Sequence, residues 1–288
     1  MDMFPCFNDC ISGTSPLTKY GIHIGLPKLP EAGKSTHIQI LSKWTSDCNA
    51  SHLCFPQDLD FVPTRLLDVG VADSDMIRLV EQSHYDHGPT RYLALSHRWG
   101  PPQDHQTFCT YTTNILQFRE RIPVSDLPRT FGDAVNVTRG LGVRYLWIDS
   151  LCIIQDDPHD WNVESKLMEQ VFSSAYITLS ASCSRGTSDG FLKPRHDRQC
   201  VTARAQVEDK PWYYICDAID DFRHDVDEGE LSKRAWVLQE RALSRRSIYF
   251  SQAQSYWECG HGVRCETLTK MKKHVSPSPS GPNPPLPG

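Results

Sequence analysis

Tyr145–Ala181, YLWIDSLCIIQDDPHDWNVESKLMEQVFSSAYITLSA, reads as strand, acidic turn, helix, strand. Asp157 followed by Pro158 marks the helix start, because a proline at the first helical position has no N–H to leave unsatisfied. At the α-helical repeat, Trp161, Met168, Val171, Phe172 and Ala175 share one stripe, and Glu164 falls inside it. A carboxylate on an apolar stripe has to be paired, neutralised or used, since burying it alone costs several kcal/mol. Glu164 therefore declares a polar site beside an otherwise apolar seam.

Upstream, YLALSHRWG (Tyr92–Gly100) is an apolar run that breaks into a polar turn, the pattern of a buried strand whose end carries Ser96, His97, Arg98 and Trp99. Thr107–Arg121 is compatible with a helix. Leu127, Phe131, Ala134, Val135 and Thr138 recur at helical spacing, with Gly140 and Gly142 as a stop. Val143–Ile148 is a strand whose end presents Asp149, Ser150 and Cys152. Strands alternating with helices through short connections predict an α/β fold with a mostly parallel sheet and flanking helices. PTRLLDVG at Pro63–Gly70 and DMIRLVE at Asp75–Glu81 lead into this core. Beyond Ser182 the pattern changes to a turn-rich loop, a hairpin from Val201–Val207 and Trp212–Cys216, a helix at Ser232–Ala242 and a strand at Ser247–Phe250. Within residues 1–60, Thr36–Trp44 is an amphipathic piece of a docked arm, and the Pro-rich end, SPSPSGPNPPLPG, is expected to be disordered.

At 288 residues and 39% hydrophobic composition the chain is long enough for a substantial core. A net charge of −5 and the lack of a basic stripe argue against nucleic acid as partner. No apolar segment reaches the roughly 18 residues that span a bilayer, and the N-terminus has no secretory pattern, so no membrane partner and a cytoplasmic location are expected. Neither GxGxxG nor a Walker sequence occurs, which leaves Rossmann dehydrogenases and P-loop ATPases unsupported. The 11 cysteines have no small-scaffold spacing, and most read as reduced and buried. Cys48, His52 and Cys54 form one half of a conceivable zinc site, with Cys259, His261 and Cys265 as the other. Because Cys-x3-His-x-Cys is not a standard zinc pattern, buried or surface thiols are the preferred reading and no metal ligand is assigned. Cys152, within SLCII, reads as buried and inert rather than as a nucleophile.

YLALSHRWG, LPRTFGDAV, the Tyr145–Ala181 stretch and RAWVLQERALSRRSIYFSQAQSYWEC (Arg234–Cys259) together resemble the fungal heterokaryon incompatibility (HET) domain. The resemblance places that domain at 61–265, with core motifs over 92–259, between an N-terminal arm at 1–60 and a Pro-rich tail at 266–288. It implies a cytoplasmic cell-death effector of non-self recognition, which self-associates into a homo-oligomer on activation and answers to an upstream allorecognition receptor. The HET domain is remotely similar to TIR domains, flavodoxin-like α/β modules of which some cleave NAD. In those enzymes the catalytic glutamate follows a tryptophan on a helix after an acidic turn. DDPHDWNVES resembles that segment, with Glu164 three residues after Trp161 where the TIR spacing is usually four.

By that resemblance Glu164 is the candidate catalytic carboxylate and NAD the candidate substrate, with no permanently bound cofactor. Nicotinamide departs as a neutral base, so a single carboxylate that stabilises the oxocarbenium-like ribose can suffice. Ser96, Arg98, Trp99, Asp149, Ser150 and Trp161 are the candidate nucleotide-binding residues: ligands of open α/β sheets bind at strand carboxyl ends, an arginine suits phosphate and a tryptophan suits a base. The competing reading is a non-enzymatic signalling module that recruits partners, with Trp99 and Trp161 as core aromatics and Glu164 in a structural ion pair with Arg98 or Arg241.

Overall fold

The computed structural model describes residues 26, 28–56, 58, 60–71, 74–82, 91–101, 108–195, 197–204, 212–233, 235–267 and 270–271. Most of the N-terminal arm and the Pro-rich tail lie outside them. The order of elements is α1 (Ser35–Ser51), β1 (Arg65–Asp68), β2 (Met76–Glu81), β3 (Tyr92–Ser96), α2 (Ile115–Glu120), β4 (Ile122–Pro123), α3 (Arg129–Gly140) and β5 (Tyr145–Trp147). There follow α4 (Asp149–Cys152), α5 (Pro158–Ser174), β6 (Ile177–Ser180), β7 (Cys200–Arg204), β8 (Trp212–Cys216), α6 (Ala235–Leu243), β9 (Arg246–Phe250), β10 (Ser255–Cys259), β11 (Gly262–Cys265) and β12 (Lys270–Met271).

Ten strands form one sheet in the order β12-β11-β10-β9-β6-β3-β5-β1-β2-β4. Its centre, β5-β3-β6-β9, is parallel. Every residue of these strands is buried, as near-continuous apolar runs such as YLALS require when helices cover both faces. The expectation of a mostly parallel sheet holds at this centre and is corrected at the wings. β1, β2 and β4 on one side and β10, β11 and β12 on the other pair antiparallel. For β10 and β11 the cause is connection length: the few residues joining β9 to β10 and β10 to β11 make hairpins, whereas a parallel return needs a crossover of about a dozen residues or more. β7 and β8 form a separate hairpin, as the sequence predicts, with Cys200 and Cys216 paired in register and joined by a disulfide.

α1 runs further than the amphipathic piece expected at Thr36–Trp44. It buries His37, Ile40, Leu41, Trp44, Thr45 and Cys48, and its apolar residues belong to the same core as the central strands. The helix expected over Thr107–Arg121 shortens to α2, because Thr110 bridges to Ile154 in extended conformation and its Oγ1 donates to the Leu151 carbonyl at 2.6 Å.

α5 starts where Asp157-Pro158 predicts. The Asp157 carboxylate caps it by accepting from the backbone N–H groups of His159 and Asp160 at 2.9 and 3.3 Å. Asp157→Ala should therefore lower stability by about 1 kcal/mol in denaturant titration; an unchanged midpoint would show that the cap carries nothing. Val171, Phe172 and Glu164 face inward, and Phe172 meets Trp147 edge to face at 5.7 Å. Trp161 does not join this stripe: it is 56% exposed. In the first turn the buried face is taken by Asp160, which turns toward an arginine on the neighbouring strand.

Candidate functional site

The parallel strands occur in space in the order second, first, third, fourth along the chain, which puts a topological switch point beside β3, where ligands of open α/β sheets bind. The carboxyl end of β3 delivers Ser96, His97, Arg98 and Trp99, and that of β5 delivers Asp149 and Ser150. His97, Trp99, Asp149 and Ser150 converge. The Trp99 indole Nε1 donates to Asp149 Oδ2 at 2.7 Å, the other carboxylate oxygen accepts from the Ser150 N–H at 2.7 Å, and His97 Nδ1 lies 3.8 Å from Asp149 Oδ1. The His97 ring abuts Phe131 edge to face at 5.3 Å. Ser96 and Ser150 are buried, and neither hydroxyl has a hydrogen-bond partner among the described residues. Buried polar groups are nearly always satisfied, so two unsatisfied hydroxyls at adjoining strand ends mark a place where a further polar group belongs.

The Gly186 turn packs so closely that a Cβ there would come within 2.9 Å of Gly100 Cα, and the Thr187 N–H reaches the Trp99 carbonyl at 3.4 Å. Cys109 is buried, and that burial and the Asp149 charge push its thiol up to about 11. Arg98 is half-buried, and its charge acts on Glu230. Cys109 and His97 are absent from the sequence-derived site; His97 adjoins Ser96 and was within reach of that reasoning, whereas Cys109 sits in the stretch taken as helix.

Glu164 lies at the same end of the sheet but in its own network. It is 2% exposed, with Oε1 3.5 Å from Arg65 Nη2. Arg65 also holds both Asp160 oxygens at 2.6 Å and donates from Nε to the Cys152 carbonyl at 2.7 Å. Asp160 in turn accepts from the Ile154 N–H at 2.8 Å. Burial pushes the Glu164 carboxyl above its ordinary range, Thr64 and Arg65 pull against that, and Asp160 adds to it. The ion-pair partner is thus Arg65, not Arg98 or Arg241; Arg241 is engaged by Asp227 at 2.6 Å and Glu258 at 3.1 Å. Cys152 is fully buried, and its thiol is pushed up to about 12 by that burial, an inert group. Trp161, exposed on the first turn of α5, joins neither group.

A separate surface cleft of about 780 Å³, lined by residues including Lys34, Lys193, Arg195, Arg198 and Asp225, contains none of these residues. Of the residues weighed as zinc ligands, Cys265 turns away to Thr267 and Asp220, at 3.0 and 3.5 Å. Cys48, His52, Cys54 and Cys259 come together at the amino ends of the parallel strands, the opposite edge from Ser96.

The family model described as "Heterokaryon incompatibility protein (HET)" matches residues 92–240, which runs from β3 through α5 into α6 and includes every residue of the strand-end site. The chain belongs to the heterokaryon incompatibility protein family. A role in heterokaryon incompatibility follows for this HET domain. No curated protein and no solved structure matches the chain. Among the described residues, no helix is long and apolar enough to cross a membrane.

Proposed function

We propose that this HET-domain protein is a cell-death effector of fungal non-self recognition that cleaves NAD at the carboxyl ends of β3 and β5. The observation that supports this reading best is the pair of buried, unsatisfied hydroxyls of Ser96 and Ser150 beside the Trp99–Asp149 hydrogen bond. Ribose hydroxyls and phosphate oxygens would satisfy them once the strand ends open, since both hydroxyls are closed to solvent. The order of the central strands is that of the first part of a flavodoxin-like sheet, in keeping with the TIR relationship. In the reaction, the bond between ribose C1′ and the nicotinamide nitrogen breaks and its electron pair leaves with neutral nicotinamide. For this the Glu164 carboxylate has to turn out of the Arg65–Asp160 network toward the oxocarbenium-like ribose, where it takes the proton of the water that captures C1′. Its upward-shifted affinity for a proton suits the second step. Self-association on activation and an upstream allorecognition receptor complete the proposal.

One observation favours a second reading, a non-enzymatic module that signals by recruiting partners: Glu164 is closed into the Arg65–Asp160 network rather than facing the Ser96–Ser150 site. A single experiment separates the two. Purified protein, concentrated until light scattering shows assembly, is incubated with NAD, and nicotinamide is followed by chromatography beside Glu164→Gln and Asp149→Asn variants of matched thermal stability. The enzymatic reading expects release by the wild type, a fall of at least 100-fold in Glu164→Gln, and a smaller fall with raised KM in Asp149→Asn. Loss in Asp149→Asn alone moves the reacting carboxylate to Asp149. No release by assembled wild type leaves the recruiting module.

A further inference from the structure

Cys48 lies in the last turn of α1, His52 and Cys54 follow it in extended chain, and Cys259 ends β10, far away in sequence. Their three sulfurs and a ring nitrogen of His52 all lie within 4.8 Å of one another; the cysteines are buried and the histidine half-buried. Cys259 Sγ is 3.6 Å from His52 Nδ1. Around a tetrahedral zinc ion, with Zn–S of about 2.3 Å and Zn–N of about 2.0–2.1 Å, the S···N edge is about 3.6 Å and the S···S edge about 3.8 Å. The Cys259–His52 edge equals that of a tetrahedral zinc site, the remaining ligand atoms lie within 4.8 Å and so need move by no more than about 1 Å to close on one ion, and all three cysteines are free of disulfides.

The surroundings match the charge such a site would carry. Three thiolates, one neutral imidazole and a dipositive ion sum to a single negative charge. Arg246, in register with Cys259 across β9 and β10, is 1% exposed, and its Nε and Nη2 have no hydrogen-bond partner among the described residues. Its Nη1 donates to Asn49 Oδ1 at 2.8 Å, and the Phe55 and Tyr176 rings lie 5.7 and 5.2 Å from the guanidinium carbon. A buried guanidinium without a carboxylate partner is costly unless a negative group stands nearby. The backbone and the outer ligand face are also shaped for the cluster. A Cβ on Gly260 would come within 3.4 Å of Cys54 Sγ, and the His261 ring stacks on His52 at 4.0 Å and 12°, which fixes the plane of that imidazole.

We propose that Cys48, His52, Cys54 and Cys259 bind one structural zinc ion that staples the end of α1 to the end of β10. Thiolate and imidazole donors select zinc, and four protein ligands leave no open position for chemistry. All four ligands are among the residues the sequence offers, but the irregular Cys-x3-His-x-Cys spacing argues there against a metal, and only the fold shows that Cys259, rather than His261 or Cys265, completes the set.

Protein purified without chelator should carry close to one zinc per chain by elemental mass spectrometry. Cys54→Ser and Cys259→Ser should each lose most of it, while Cys183→Ser, which alters a free cysteine outside the cluster, and His52→Cys, which keeps four ligands, should retain it. Because a ligand variant can misfold, the wild type supplies a second measurement. Zinc withdrawn by chelator should lower its Tm, and Co²⁺ added in its place should restore the Tm and give the intense visible absorption of a tetrahedral cobalt–thiolate centre. Folded wild type with substoichiometric zinc and no such absorption overturns the proposal. So does a disulfide among Cys48, Cys54 and Cys259 in the protein as prepared.

Discussion

Arg65→Met is expected to destabilise the protein by about 3–5 kcal/mol at neutral pH, measured by denaturant titration. Arg65 is 5% exposed and is the cation that faces both Asp160 and Glu164, whose side chains are 14% and 2% exposed. Methionine keeps the aliphatic bulk but leaves buried carboxylates without their counter-charge, and the Cys152 carbonyl without its donor. The pH dependence identifies the cause. The Glu164 carboxyl is already shifted upward in the folded state, so ionising it works against folding: its unfavourable contribution is absent below the unfolded value of about 4.3 and grows as pH rises toward the folded value. Removing Arg65 moves the folded value further up. The Arg65→Met penalty should therefore shrink on acidification, and Glu164→Gln should recover part of it at pH 7 in a double-mutant cycle. A penalty independent of pH would assign the loss to packing and the Cys152 contact instead.

That network shows where sequence reasoning reaches its limit. Glu164 was legible as a buried carboxylate because a helix repeat fixes which side chains share a face, and Asp160, one turn earlier, shares that logic. Arg65 was not, because it sits in a short strand whose pairing with β5 is set by sheet register rather than by any local pattern. Trp161 was misplaced for a related reason: in the first turn of α5 the inward direction leads to Arg65, so charge rather than hydrophobicity decides which residue faces in. The central strands could be read from their continuous apolar runs, and α5 from its cap. The antiparallel wings were less visible, since SIYF and SYWEC as isolated strands do not say on which side, or in which direction, they join a sheet. That Trp99, Asp149 and Ser150 lie together could be anticipated, because strand ends in an α/β fold meet by topology. His37 and Glu266, by contrast, carried no signal at all. A histidine within STHIQILSKW and a glutamate after a cysteine near the end of the sheet are ordinary surface residues until the fold brings them together.

Glu266→Gln should cost about 3–5 kcal/mol at pH 7, and like the Arg65→Met penalty this cost should shrink in acid, here because a carboxyl held below its usual range becomes protonated. Glu266 and His37 are both fully buried, and Oε1 of the glutamate meets His37 Nε2 at 2.8 Å. The other oxygen meets Arg195 Nη1 at 2.7 Å and accepts from the Ser255 N–H at 2.9 Å. His37 Nδ1 accepts from the Gly33 N–H at 2.9 Å, which assigns the ring proton to Nε2, the atom that faces Ser255 Oγ at 2.9 Å and the carboxylate at 2.8 Å. Burial alone would raise the Glu266 carboxyl, but the His37 hydrogen bond, the Arg195 charge and the Ser255 N–H hold it below the usual carboxylate range. A depressed carboxyl contributes stability that is present above its unfolded value of about 4.3 and lost as pH falls through the folded value. The gap between wild type and Glu266→Gln should accordingly be full at pH 7 and narrow as the pH drops below about 4; a constant gap would exclude this carboxylate from the acid limb. Because His37 belongs to α1 while Ser255 belongs to β10, the variant should also release the helix before the sheet. Hydrogen exchange would show this as a selective loss of protection over Ser35–Ser51, and uniform loss across the central strands would mean that helix and sheet unfold as one unit.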